Sequence, residues 1–139
     1  VTSVVLLACA PASVGAARRQ LTDELSAAGV TGPAVGDAAL VVSELVSNSI
    51  RHAWPLAGEI LQVAWLVEPG SVEVAVRDGG GPTRPRQHSP AGSALGGRGL
   101  GIIDRLAQDW GTWRDDTGQT VWAVLPAPAL AQDDVLQHA

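Results

Sequence analysis

Residues 39–53 read ALVVSELVSNSIRHA, and this stretch decides the fold. At roughly 100° per residue on a helix, Glu44, Asn48, Arg51 and His52 fall in one polar stripe about 100° wide. Val42, Leu45, Val46, Ser49, Ile50 and Ala53 cover the other side, and only Val41 intrudes on the stripe. A helix apolar around most of its circumference is a buried helix. A carboxylate, an amide, a guanidinium and an imidazole aligned on such a helix need partners. The stripe therefore reads as one wall of a polar ligand cavity, set against the plainer reading of a network of capping and inter-helix hydrogen bonds.

The flanking chain supplies the rest of a domain. Val4 to Ala8 is a short β-rich run stopped by Pro11, fit for the edge of a sheet. Ser13 is the expected cap of a helix from Val14 to Ala28, ended by Gly29. Its charges Arg18, Arg19, Asp23 and Glu24 lie off the apolar stripe, on an expected solvated face. Thr31-Gly32-Pro33 turns into the deciding helix, expected from Ala34 to Ala53 and closed by Pro55. Ile60 to Val67 and Ser71 to Val76 are strands joined at Glu68-Pro69-Gly70, an antiparallel pair with one face on a core.

From Asp78 to Gly101 the chain holds eight of its sixteen glycines and three prolines. Such a composition excludes a continuous helix or a central strand, and a loop this long inside a domain is usually functional. A helix from Ile102 to Ala107 follows, with Gly99 and Gly101 at its opening. Trp110 to Arg114 and Thr120 to Leu125 are strands around the turn residues Asp115 to Gly118. The order β-α-α-β-β-(Gly loop)-α-β-β implies an α+β two-layer sandwich with helices on one face of the sheet. Residues 1–126 form the expected single domain, and 127–139 an expected poorly ordered Ala/Pro-rich tail.

Bulk composition narrows the function. A chain of 139 residues suits one domain with a real core. Net charge is −5 and all nine basic residues are Arg, without clusters, which argues against direct nucleic-acid binding. The five Trp beside no Tyr and no Phe have no physical explanation in the fold. Cys9 is the single cysteine, so no internal disulfide forms, and it reads as a small buried apolar residue. The run VVLLACAP is too short, and lacks the basic flank, for a secretory signal. No stretch approaches the roughly 20 apolar residues of a membrane span, and the cytoplasm is the expected compartment.

Two further motifs accompany the stripe. Asp78-Gly79-Gly80 follows a strand directly. A carboxylate there can accept a hydrogen bond from an exocyclic amine such as adenine N6, and Gly80 would let a flat ring approach the backbone; a plain Asp-Gly turn is the alternative. Gly97-Arg98-Gly99-Leu100-Gly101 runs into a helix, where backbone N–H groups form an anion site. The spacing fits neither a dinucleotide fingerprint nor a P-loop. On the stripe, Asn48 can offer a neutral oxygen to Mg²⁺, which usually shares substrate phosphates, and Glu44 can orient or deprotonate a nucleophile.

In this order and spacing the motifs resemble the GHKL ATPase superfamily, and within it the bacterial anti-sigma-factor serine/threonine kinases. ELVSNSIRHA (44–53) resembles the family's N-box, RDGGGP (77–82) its first glycine box, GRGLGIIDRLAQDWG (97–111) its second, and GQTVWAVLP (118–126) its closing strand. The resemblance spans about Pro11 to Pro126 and implies the Bergerat fold, a mixed, mostly antiparallel sheet with helices on one face. It implies ATP and Mg²⁺ as cofactors, with Asn48 on the metal and Glu44 as general base. Asp78 would bind adenine N6 with Gly80 beside the ring. Arg98, Gly99, Leu100 and Gly101 would hold phosphates, Arg51 and His52 would line the phosphate side, and Thr120 would support the adenine site. The chain departs from the family at Pro82, where the first box carries a second glycine; a proline stiffens the hinge and removes an N–H.

The activity so implied is ATP-dependent phosphorylation of a Ser or Thr on an antagonist protein in a partner-switching system, with a sigma factor as second partner and a homodimer as the common assembly. A nucleotide- or protein-binding regulatory module with little turnover is the alternative, and an excised histidine kinase ATPase domain a third.

Overall fold

The structure is a computed structural model that describes residues 2–81 and 98–128. Its elements are β1 (Thr2–Ala8), α1 (Ala12–Ala27), α2 (Gly32–His52), β2 (Ile60–Glu68), β3 (Gly70–Asp78), α3 (Arg98–Leu106), β4 (Asp109–Arg114) and β5 (Gln119–Ala127). This is the expected order. Residues 82–97, with Pro82, and residues 129–139 of the expected tail lie outside the described residues; Ala127, counted in that tail, is instead the buried last residue of β5. No helix among those described is long and apolar enough to cross a membrane.

The strands form one sheet in the order β1-β2-β3-β5-β4. Every pairing among the described strands is antiparallel, in keeping with the mostly antiparallel sheet of the expected two-layer sandwich. Alternation along β3 sends Val72, Val74, Val76 and Asp78 to one face and Glu73, Ala75 and Arg77 to the other. The first set meets the helices. β2 adds Leu61, Val63 and Trp65 to that face, and β5 adds Val121, Ala123 and Leu125.

α2 is the central helix. It packs on β2, β3 and β5 and is flanked by α1 and α3, so its Ala38, Val41, Val42, Leu45 and Val46 are buried. Fully burying each such Val or Leu side chain contributes about 1.5–3 kcal/mol. Val41, which breaks the polar stripe, belongs to this core. α2 starts after the extended Thr31, with Pro33 in its first turn where the lost N–H costs nothing.

α1 differs from expectation at its start. It begins at Ala12 behind Pro11, and Ser13 is not its cap. Ser13 lies in the first turn and donates its hydroxyl to the Ala8 carbonyl at 2.5 Å, tying helix to strand. The other end is a Schellman closure on Gly29, whose φ is +87°. Gly29 N–H donates to Ser26 O at 3.1 Å and Val30 N–H to Leu25 O at 3.0 Å. Glu24 is half-buried rather than free on a solvated face: it accepts from Trp65 Nε1 at 3.3 Å and from the Ser3 hydroxyl, joining α1 to β1 and β2. Cys9 is half-buried and free, and burial pushes its thiol pKa up.

Candidate functional site

The candidate site lies where the C-terminal end of α2 meets the end of β3. Two backbone bonds fix this junction. Gly79 N–H donates to Trp54 O, and Trp54 N–H to Gly80 O, each at 2.7 Å. A Cβ on Gly79 would collide with the Pro55 carbonyl, so this close approach needs glycine.

Asp78 ends β3 on the helix face and is only 2% exposed. Ser49 Oγ donates to its Oδ2 at 2.5 Å, and Gly80 N–H to its Oδ1 at 2.7 Å. Burial raises its pKa, against the lowering effects of Ser49, the Gly80 amide, Arg114 and Arg77. A carboxylate has about four acceptor positions, so two bonds leave capacity for an external N–H. The contact joins the deciding helix to the Asp-Gly-Gly turn. The helical period sets Ser49 on the apolar side of α2, aligned with Val42 and Leu45, and a hydroxyl in that row is the sequence signal for a partner across the core.

Glu44 and Asn48 stand one turn apart on α2, both half-buried. Among the described residues Glu44 has no side-chain hydrogen bond. Asn48 Oδ1 accepts from Arg51 Nη2 at 3.1 Å, so Arg51 here holds the oxygen assigned to the metal. Arg51 and His52 are exposed.

Gly80 has φ +82°, a conformation that favours glycine. What lies against it is the Arg114 guanidinium: an added Cβ would stand 2.6 Å from Nη2. The same Nη2 donates to Gly81 O at 3.1 Å. Arg114, unmarked by any motif, thus covers the glycine expected beside a ring.

Arg98, Gly99, Leu100 and Gly101 form the first turn of α3. Leu100 is buried in the core with Ile103, so any contact from Leu100 to a phosphate would come from its backbone.

Thr120 lies on the other face of the sheet. Register pairs it with Arg77 on β3 and Trp113 on β4, and its Oγ1 accepts from Arg77 Nη1 at 3.3 Å. Directly opposite Asp78 stands Gln119, which also pairs with Arg114. The helix-facing row across β3, β5 and β4 is therefore Asp78–Gln119–Arg114. Thr120 belongs to the neighbouring row, because a shift of one residue along a strand changes the face.

This geometry accompanies a match to known proteins. A family model described as the histidine kinase-like ATPase domain matches residues 7–125. No curated protein matches the chain significantly. Among solved structures, the RsbU and RsbW domains of Rv1364c from Mycobacterium tuberculosis superpose with a TM-score of 0.68 at 21% identity. The match covers 93% of this chain and 33% of that one, so this chain spans about a third of its structural relative. At that identity the likeness speaks for the fold. The family match covers α2, β3, α3 and β4 entire and β5 as far as Leu125, and the chain belongs to the histidine kinase-like ATPase domain family.

Proposed function

We propose that the chain is an ATP-dependent serine/threonine protein kinase of the anti-sigma-factor type, acting on an antagonist protein in a bacterial partner-switching system. The observation that carries the nucleotide part is the buried Asp78 carboxylate. It is pinned by Ser49 of α2 and by the Gly80 amide, and has acceptor capacity left for an adenine amine. The protein-kinase part rests on the motif order and on the likeness to a structure described as containing an RsbW domain.

In this reading Asp78 and Gly80 hold the base. Asn48 offers its side-chain oxygen to Mg²⁺ that arrives with the phosphates, a donor set suited to an ion that keeps waters and substrate oxygens. Mg²⁺ when bound neutralises charge on the transferred group. Glu44, one turn from Asn48, takes the proton of the attacking Ser or Thr hydroxyl. Arg98, Gly99, Leu100 and Gly101 are the proposed phosphate holders, through the N–H groups at the start of α3. Arg51, now on Asn48 Oδ1, and His52 lie near enough along the helix to meet phosphate oxygens. The proposed partners are the antagonist and a sigma factor, and the proposed compartment is the cytoplasm.

The engagement of Asn48 by Arg51 favours a second reading, a nucleotide-binding regulatory module with little turnover. Phosphate transfer from labelled ATP to a cognate antagonist separates the two. The kinase reading expects transfer by the wild type, and loss of transfer with retained ATP binding in Glu44→Ala. A wild type that binds ATP and transfers nothing leaves the module.

A further inference from the structure

We propose that Gln119 is a base-reading residue of the nucleotide site, donating its side-chain N–H to the ring nitrogen N1 of adenine beside the amine that Asp78 accepts. The inference rests on the ATP-binding reading above and adds to it Gln119, the neighbour of the Thr120 that the closing-strand motif points to.

Gln119 is 6% exposed. Among the described residues its side-chain amide makes no hydrogen bond. Buried side-chain amides are nearly always paired, because an unpaired one keeps the full cost of leaving water. Its cross-strand neighbours on the helix face are committed elsewhere. Asp78 serves Ser49 and the Gly80 amide, and Arg114 reaches Gly81 O. The unmet group thus stands next to the carboxylate that has acceptor capacity to spare. Directly opposed residues on one face of an antiparallel pair hold their Cβ atoms about 5 Å apart, so both side chains can meet one flat edge.

The chemistry of that edge selects the base. Adenine presents an amine donor at C6 next to an acceptor at N1. Asp78 accepts and Gln119 donates, in matching order. Guanine in the same pose sets its O6 acceptor against the Asp78 carboxylate, a clash that turning the Gln119 amide to accept from N1–H does not remove. Leu at position 119 keeps the approximate volume and removes the donor.

The test is calorimetric titration of the wild type and of Gln119→Leu with Mg-ATP and with its 1-deaza analogue, in which C–H replaces N1. The wild type should bind ATP about tenfold more tightly than the analogue, the share of one hydrogen bond. Gln119→Leu should bind both alike, at the analogue's affinity. A wild type that binds ATP and the analogue equally overturns the proposal without any variant, and so does a folded Gln119→Leu that keeps the preference. A wild type that binds neither nucleotide instead removes the ATP-binding reading, and this inference with it.

Discussion

Two rows of side chains cross β3, β5 and β4 one residue apart, on opposite faces of the sheet. The outer row, Arg77–Thr120–Trp113, is closed on itself. Arg77 donates to both Asp115 carboxylate oxygens at 2.8 and 3.1 Å, to Thr117 Oγ1 at 2.7 Å and to Thr120 Oγ1 at 3.3 Å. Its guanidinium also lies 5.2 Å from the Trp113 ring centroid. Among the described residues the inner row, Asp78–Gln119–Arg114, is open: a buried carboxylate with unused acceptor positions, an amide without a partner, and a guanidinium laid over Gly80. Similar residue types thus serve two ends. The outer row fastens the β4–β5 turn to the sheet, while the inner row keeps polar capacity that no other described residue takes up.

The largest contrast between the rows should appear in ATP affinity. Asp78→Asn replaces half of the acceptor capacity with a donor, and should weaken ATP binding about 10- to 100-fold, the range for a hydrogen bond to a charged group. Arg77→Ala should leave the affinity within about twofold and lower the thermal midpoint instead, since it opens only the outer row. Calorimetry beside thermal unfolding separates these effects. Equal losses of affinity in both variants would erase the distinction between the rows.

Ser49→Ala tests the pin that holds the inner row. It leaves the buried Oδ2 of Asp78 without its donor and should cost about 1–3 kcal/mol of stability in urea unfolding. ATP affinity should drop with it, because the carboxylate loses its fixed orientation. A variant as stable as wild type would show that the carboxylate does not depend on Ser49.

The two aspartates should respond to pH with opposite signs. Burial raises the folded-state pKa of Asp78, so its contribution to stability is full below the ordinary carboxylate value of about 4 and is lost as pH rises through the folded value. Bonds from Arg77 and from Thr117 lower that of Asp115, so its contribution is present above about 4 and is lost as pH falls. In thermal unfolding followed across pH, Asp78→Asn should remove part of the decline on the rising side, and Asp115→Asn part of the decline on the acid side. The same sign for both substitutions would contradict the assignment of the two environments.

The smallest effect belongs to Thr120. Thr120→Val should leave ATP affinity unchanged and cost about 1 kcal/mol of stability, since its buried hydroxyl accepts from Arg77 through a 3.3 Å bond and meets no other group among the described residues. A clear loss of ATP affinity would return Thr120 to the nucleotide site and undo the face assigned by the register.

That last residue shows where the sequence was legible and where it was not. The period of 3.6 on α2 separated Glu44 and Asn48 from the core, and the period of 2 along Val72, Val74 and Val76 already aligned Asp78 with the buried face. β5 offered no such guide. Val121, Ala123 and Leu125 alternate with Trp122 and Val124, so both faces of the strand are apolar, and the choice between Gln119 and Thr120 fell to a one-residue phase that only the pairing with β3 resolves. The contact from Ser49 to Asp78 joins residues 29 positions apart, and Arg114 reaches Gly81 from the far side of β5. Neither leaves a local pattern. The fold followed from local periodicities; the partners within the site followed from tertiary register.

The account stands on the inner row being the place where an adenine ring binds. A crystal structure of the chain with Mg-ATP tests this directly. The adenine amine should lie within hydrogen-bond distance of the Asp78 carboxylate, with Arg114 displaced from Gly80. Nucleotide bound elsewhere, with Arg114 still lying on Gly80, would contradict it.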